Sequence, residues 1–318
     1  MQFFRLLALA LMALSTPVLA DETVSADNYP ESLLYNKPIK VADNIYSAIG
    51  ATQPYTYANS GHNNNLTFVI GEKSVLVVNG SSSYLLAKAL HDEIKKITSK
   101  PVSYLVDENG QLHAVMGNNY WKDQGAKIIA HVDTEKEVNA HGVEELARMK
   151  AFNKEKGDKT ALVPFDQTFD KEMTIDLGGI TAKLMYFGPS HSSGDISVYI
   201  PERKVLIAGD IAFNQRMMPI FEETSTIAWL KTWKDFTIFA KDKIIIPGHG
   251  VPTDFATVDK TTRGYLEFLH AEVRKLIKSG GTLADTSKID QSAYSYLHTY
   301  KELSATNAMR VFSELEME

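Results

Sequence analysis

Residues 186–210 read YFGPSHSSGDISVYIPERKVLIAGD. The spacing predicts a short loop carrying His191, a strand from Asp195 to Ile200, a tight turn at Pro201-Glu202 and a second strand ending in Gly209-Asp210. A third polar tip follows in Ile244-Ile245-Ile246-Pro247-Gly248-His249-Gly250, again directly after an apolar run. A buried strand that ends in a His or Asp is how a rigid sheet holds metal ligands at fixed geometry. His191, Asp210 and His249 are therefore candidates for one site.

Working outward, the chain has 318 residues, 33 basic against 39 acidic, a net charge of −6 and no cysteine. No basic block stands out, which excludes the usual footprint of a nucleic-acid partner. Without cysteine there is no disulfide, no thiolate metal site and no cysteine nucleophile, so any metal is held by nitrogen and oxygen. Residues 1–20 read as a signal peptide: Arg5, an apolar run from Leu6 to Leu14, and Val18-Leu19-Ala20 as a small-residue cleavage site. The alternative is an N-terminal membrane anchor, for which the run is short. The reading is a periplasmic or secreted protein without a stable membrane span, with residues 21–318 as one domain. Its core covers about 40–255 and a helical extension covers 257–318.

Along the chain, residues 21–38 read as an extended lead-in and Ile39 to Ile49 as a first strand. Residues 50–65, rich in Asn and Gly, read as a loop. Leu66 to Ile70 and Ser74 to Val78 form a hairpin around Gly71-Glu72-Lys73. Ser82 to Thr98 is a helix, because Leu86, Leu90, Ile94 and Ile97 share one face. Val102 to Val106 is a strand, Asn118 to Gln124 a short helix, Ala126 to Ala130 a strand and Val132 to Asn153 a charged helix. Met173 to Leu177 and Ile180 to Phe187 form a second hairpin. Ile227 to Ala240 and Thr257 to Lys278 are helical, as is the tail from Leu283. Hairpins bracketed by helices in both halves suggest two packed sheets with helices outside.

The order His191, Gly209-Asp210, Pro247-Gly248-His249 resembles the second half of a metallo-β-lactamase-fold metallohydrolase. The first half of that signature is His-x-His-x-Asp-His followed shortly by Gly-Asn. Gly117-Asn118 is present, after the strand Val102 to Val106, but the four ligand positions hold Asn109, Gln111, His113 and Ala114. Asn79 stands where the family usually has an aspartate. The resemblance implies an α+β fold, an αββα sandwich of two mixed sheets with helices on the outer faces and a site at one edge between the sheets. It implies zinc, with His191 on the first ion, Asp210 bridging and His249 on the second.

The rewritten motif changes the chemistry. Amide oxygens are poor zinc ligands beside imidazole, and Ala114 cannot ligate at all. Two metals are thus disfavoured. His113, Asp210 and His249 would still give two imidazoles and a carboxylate with an open position, a set known for catalytic zinc. His191 would be a fourth ligand or a supporting group. His113 and Asp210 are the catalytic candidates, and Asn109, Gln111 and His62 are possible pocket polar groups. His62 lies in the Asn-rich loop and reads as exposed. His298 falls in a helix. Asp195 supports its loop, and Tyr55, Tyr57, Met217, Met218 and Phe221 either wall a pocket or pack. No Gly-x-Ser-x-Gly elbow, phosphate loop or Gly-x-Gly-x-x-Gly fingerprint occurs.

Two functions remain open at this point. One is a hydrolase with at most one metal, directing water at an ester, amide, lactone or thioester carbonyl of a small molecule. The other is a catalytically degraded relative that binds a small molecule or a protein.

Overall fold

The computed structural model describes residues 29–318, and the signal-peptide reading of residues 1–20 lies outside the described residues. The first sheet contains β1 (Ile39–Ala42), β2 (Ile45–Ala48), β3 (Leu66–Ile70), β4 (Val75–Val78), β5 (Val102–Val106), β6 (Lys127–His131) and β7 (Gln167–Phe169), paired in chain order. The second contains β8 (Glu172–Asp176), β9 (Thr181–Met185), β10 (Ser197–Ile200), β11 (Val205–Phe213) and β12 (Ile244–His249), also in chain order. Both are mixed: β4 to β7 run parallel after an antiparallel start, and β12 runs parallel to β11.

The helices are α1 (Tyr84–Ile97), α2 (Leu112–Val115), α3 (Asn118–Asp123), α4 (Val132–Asn153), α5 (Thr226–Ala240), α6 (Phe255–Val258), α7 (Gly264–Lys278) and α8 (Tyr300–Leu315). Side chains on a strand alternate between faces, and here the alternation builds the layers. In β4, Val75 and Val77 pack with Leu86, Leu90 and Ile94 of α1, while Leu76 and Val78 turn inward. In β11, Val205 and Ile207 meet them from the other sheet, while Leu206 and Ala208 pack outward among Trp229, Trp233, Leu269 and Phe312. The architecture is an α+β, αββα sandwich. Among the described residues no helix is long and apolar enough to cross a membrane.

Several local expectations change. Ile39 to Ile49 is two strands, because Asn44 takes a positive φ of 67° and turns the chain into an antiparallel hairpin. The lead-in is anchored, with Tyr29 and Leu34 buried against the α1 layer. The strand expected from Asp195 starts at Ser197, since Asp195 is engaged in the preceding loop. The helix expected over Thr257 to Lys278 is broken by a π turn at Asp259–Arg263. There, Thr261 Oγ1 donates to the Phe213 carbonyl, and the Phe213 N–H donates to Thr262 Oγ1. The tail is two short 3-10 turns before α8, and His298 lies ahead of that helix rather than within one. The strand β7 and the short helix α2 were not expected from the sequence.

Candidate metal centre

Three structural elements deliver the donors. Asp210 sits in the middle of β11, beside Gly209 in a left-handed conformation with φ +65°. His249 ends β12, the parallel neighbour of β11. His113 lies on α2, just past β5 of the other sheet. The His249 turn is clamped from the first sheet: Asn65 Nδ2 donates to the Pro247 and Gly250 carbonyls, and the Asn65 N–H donates to the Gly248 carbonyl.

His113 Nε2 lies 3.5 Å from Asp210 Oδ2, and His249 Nε2 lies 3.3 Å from Asp210 Oδ1. Donor atoms of these three residues all fall within 4.8 Å of one another. All three are buried, with exposures of 1%, 0% and 4% for His113, Asp210 and His249. His113 Nε2 and Asp210 Oδ1 have no hydrogen-bond partner. Buried polar atoms are nearly always satisfied, so two orphans within one set of close donors mark a place built for another group. Two imidazoles and a carboxylate suit a divalent cation such as zinc, and the residues present fit it.

The hydrogen bonds behind the histidines decide which nitrogen is free. His249 Nδ1 is 2.5 Å from the Asn63 carbonyl, which can only accept, so Nδ1 carries the proton and Nε2 presents a lone pair. The Arg216 guanidinium, 3.0 Å from the same Nδ1, then meets a donor and gains no hydrogen bond there. His113 Nδ1 lies 2.9 Å from the Tyr55 hydroxyl, which can accept its proton and leave Nε2 free in the same way. His191 differs. Its Nδ1 is 3.8 Å from Asp210 Oδ2 but 2.8 Å from the Gln111 amide nitrogen, which donates to it. Gln111 thus occupies the lone pair that would face the ion, and His191 stands beside the three donors. Asn109 Nδ2 donates weakly to Asp210 Oδ2 at 3.4 Å.

The electrostatics follow from burial. Burial alone pushes the Asp210 carboxyl up, but His249, His113 and His191 outweigh it and hold it well below the usual carboxylate range. Burial lowers His249 and His191 to about 4, keeping both imidazoles neutral. For His113 burial pulls downward, and Asp210 and Glu108 reverse it, so its pKa is raised. Asp195 accepts from Ser190 Oγ, the Ser192 N–H and Ser192 Oγ, which ties the loop that carries His191.

Outside the centre lies a cavity of about 900 Å³ whose inner wall includes Tyr55, Gln111, Leu112 and Phe221. Its outer wall carries Asp133, Glu137, Glu144, Glu145, Glu222 and Glu223 against Lys136 and Arg148. Met217 and Met218 are core residues instead, and Tyr57 is exposed. His62 is fully buried, contrary to its reading as exposed: its Nδ1 accepts the Tyr35 N–H at 2.8 Å, and burial lowers it to about 4. The lead-in segment covers it, which loop composition does not reveal. Sequence reasoning missed Glu108 and Arg216, both buried at the centre. The signal for Glu108 was a charged pair, Asp107-Glu108, at the end of an apolar strand.

Residues 115–249 match the family model of the metallo-β-lactamase superfamily. A metallo-β-lactamase type 2 of Bacteroides fragilis is 23% identical over 228 residues, covering 70% of this chain and 86% of its own. A metallo-β-lactamase from Pontibacter korlensis superposes with a TM-score of 0.60 at 16% identity, covering 72% of this chain and 98% of its own. A double mutant of the sec-alkyl sulfatase PisA1 gives 0.67 at 17% identity, covering 88% of this chain and 50% of its own. The chain has the metallo-β-lactamase fold, with a rewritten first metal-binding motif. The family-model match and the curated relative support a metal-dependent, hydrolase-like function.

Proposed function

We propose that the protein is an exported hydrolase that uses a single zinc ion, held by His113, Asp210 and His249, against an ester, amide, lactone or thioester bond of a small molecule. The observation that carries this reading is the pair of unpartnered buried atoms, His113 Nε2 and Asp210 Oδ1, within a set of three mutually close donors. When bound, such an ion polarises a carbonyl and lowers the pKa of water to ~7. The chain's own residues do the rest. The Asn63 carbonyl and Tyr55 hydroxyl fix the histidine tautomers, Asp210 supplies the anionic charge, and Gln111 withholds His191. Burial of His113, Asp210 and His249 excludes bulk water, which strengthens every charge interaction among them. The acidic outer wall of the cavity favours neutral or cationic substrates over anionic ones.

The test is elemental analysis of protein purified without chelator or affinity histidines, together with Asp210→Asn. A single zinc per chain that is lost in D210N is the expected result. No metal uptake, even after incubation with zinc, manganese or iron, overturns the reading.

A second reading is favoured by Arg216, whose buried guanidinium already brings a positive charge to the centre. With His113 protonated between Glu108 and Asp210, the cluster balances its charges without an ion. The protein would then bind a ligand in the cavity without turnover. A metal-free protein whose melting temperature responds to small molecules but which hydrolyses none of them would select this reading.

A further inference from the structure

We infer that Glu108 supports the cation centre, as a buried carboxylate set against His113 beside the rewritten motif. The inference rests on the single-ion reading above. Glu108 precedes Asn109, the first of the altered ligand positions, and is 1% exposed. Its Oε1 lies 3.7 Å from His113 Nε2 and has no hydrogen-bond partner. Contacts therefore run as a chain: His249 to Asp210 at 3.3 Å, Asp210 to His113 at 3.5 Å, and His113 to Glu108 at 3.7 Å. Donors around one four-coordinate ion, each at about 2.0–2.2 Å from it, lie about 3.4 Å from one another. Glu108 stands outside the three mutually close donors and meets them through His113.

The position of Glu108 is fixed from both sheets. Its N–H donates to Asn79 Oδ1 at the end of β4, and its carbonyl accepts the Ile196 N–H ahead of β10. Its other carboxylate oxygen packs on Gly209, where an added Cβ would come within 2.0 Å of Oε2. A glycine at that point makes the room that the carboxylate fills. Among the described residues, His113 is the only basic group within ion-pair distance of Glu108. A buried carboxylate with one free oxygen calls for a cation, and the nearest place for one is the unpartnered face of His113. The substitution of Asn79 gains a meaning here: an amide at that position accepts the Glu108 N–H without adding a further negative charge.

The test compares zinc affinity of the full-length protein, by competition with a chromophoric chelator, for the native chain, Glu108→Gln and Glu108→Asp. The visible spectrum of each cobalt-loaded form is a second readout, and circular dichroism of the metal-free forms checks the fold. Loss of a supporting carboxylate weakens metal affinity by about 10–100-fold. That loss is expected for E108Q, with an altered cobalt spectrum, and E108D should show a smaller loss because its carboxylate is retracted from His113. Native-like affinity and spectrum in E108Q, with the native chain binding zinc, overturn the role of Glu108 and leave the single-ion reading standing. Absence of metal from the native chain itself overturns both. Should E108Q fail to fold, E108D decides alone: unchanged affinity and spectrum overturn the inference.

Discussion

The Tyr55 hydroxyl lies 2.9 Å from His113 Nδ1, and the same residue lines the outer cavity, so one side chain both walls the cavity and holds one of the buried donors. Its ring stacks on Phe152 at 5.5 Å, which places it without help from the hydroxyl. Tyr55→Phe therefore keeps the stack and removes only the partner of His113 Nδ1. The expected outcome is a loss of zinc affinity of about 10-fold, from release of the tautomer, with a stability change of about 1 kcal/mol. Chelator competition and thermal unfolding measure the two separately. A large stability loss with unchanged affinity would show that the hydroxyl serves packing instead.

Gly248 precedes His249, and an added Cβ there would meet Asp210 Oδ1 at 2.0 Å. The same carbon would come within 2.9 Å of backbone atoms of Gly209 and Asp210, so Gly248→Ala should displace the carboxylate, lower the melting temperature and abolish metal uptake. Gly264 serves as the control. Its nearest non-neighbour atom would be 3.6 Å from the added carbon, and it begins α7. Gly264→Ala should be neutral or stabilise by up to about 1 kcal/mol, with full metal content. Elemental analysis of both variants reads the difference.

Glu137, on the cavity wall, is pushed up to about 7 by burial first and then by the charges of Asp195 and Glu223. Folded Glu137 thus holds its proton up to about pH 7, whereas the unfolded chain releases it near the ordinary glutamate value of 4.5. The folded state binds more protons in that window, so stability falls as pH rises from about 4.5 to 7 and levels off above. Glu137→Gln cannot titrate and lacks this slope. Its melting temperature should gain on that of the native chain by at least about 2 °C between pH 5 and 7.5. A constant offset between the two curves would show that Glu137 titrates normally.

Much of the fold was legible because its cause is local. The apolar runs Leu66 to Ile70 and Ser74 to Val78 have nowhere to go but the core, and the turn between them names itself. Asp210 and His249 were legible for the same reason, each following an apolar run that must be buried, although β11 continues past Asp210 to Phe213 rather than ending there. The rest depends on contacts made at a distance. Glu108 and Arg216 look like surface charges in sequence and become interior ones only where the two sheets meet. The break in the helix before α7 comes from two threonine hydroxyls pairing with the backbone of Phe213, a strand away. Gln111 read as a failed ligand, and its bond to His191 shows an amide with a different task.

The seam between the sheets gives the centre a mechanical side. Asp210 and His249 ride on neighbouring strands of the second sheet, whereas His113 hangs from the end of the first. An ion gripped by all three would work as a rivet through the sandwich. Sliding one layer over the other would then strain its bonds as well as the packing between the sheets. Occupancy of the site then reports on alignment of the layers as well as on chemistry, and the two halves of the chain share a fastening that neither owns.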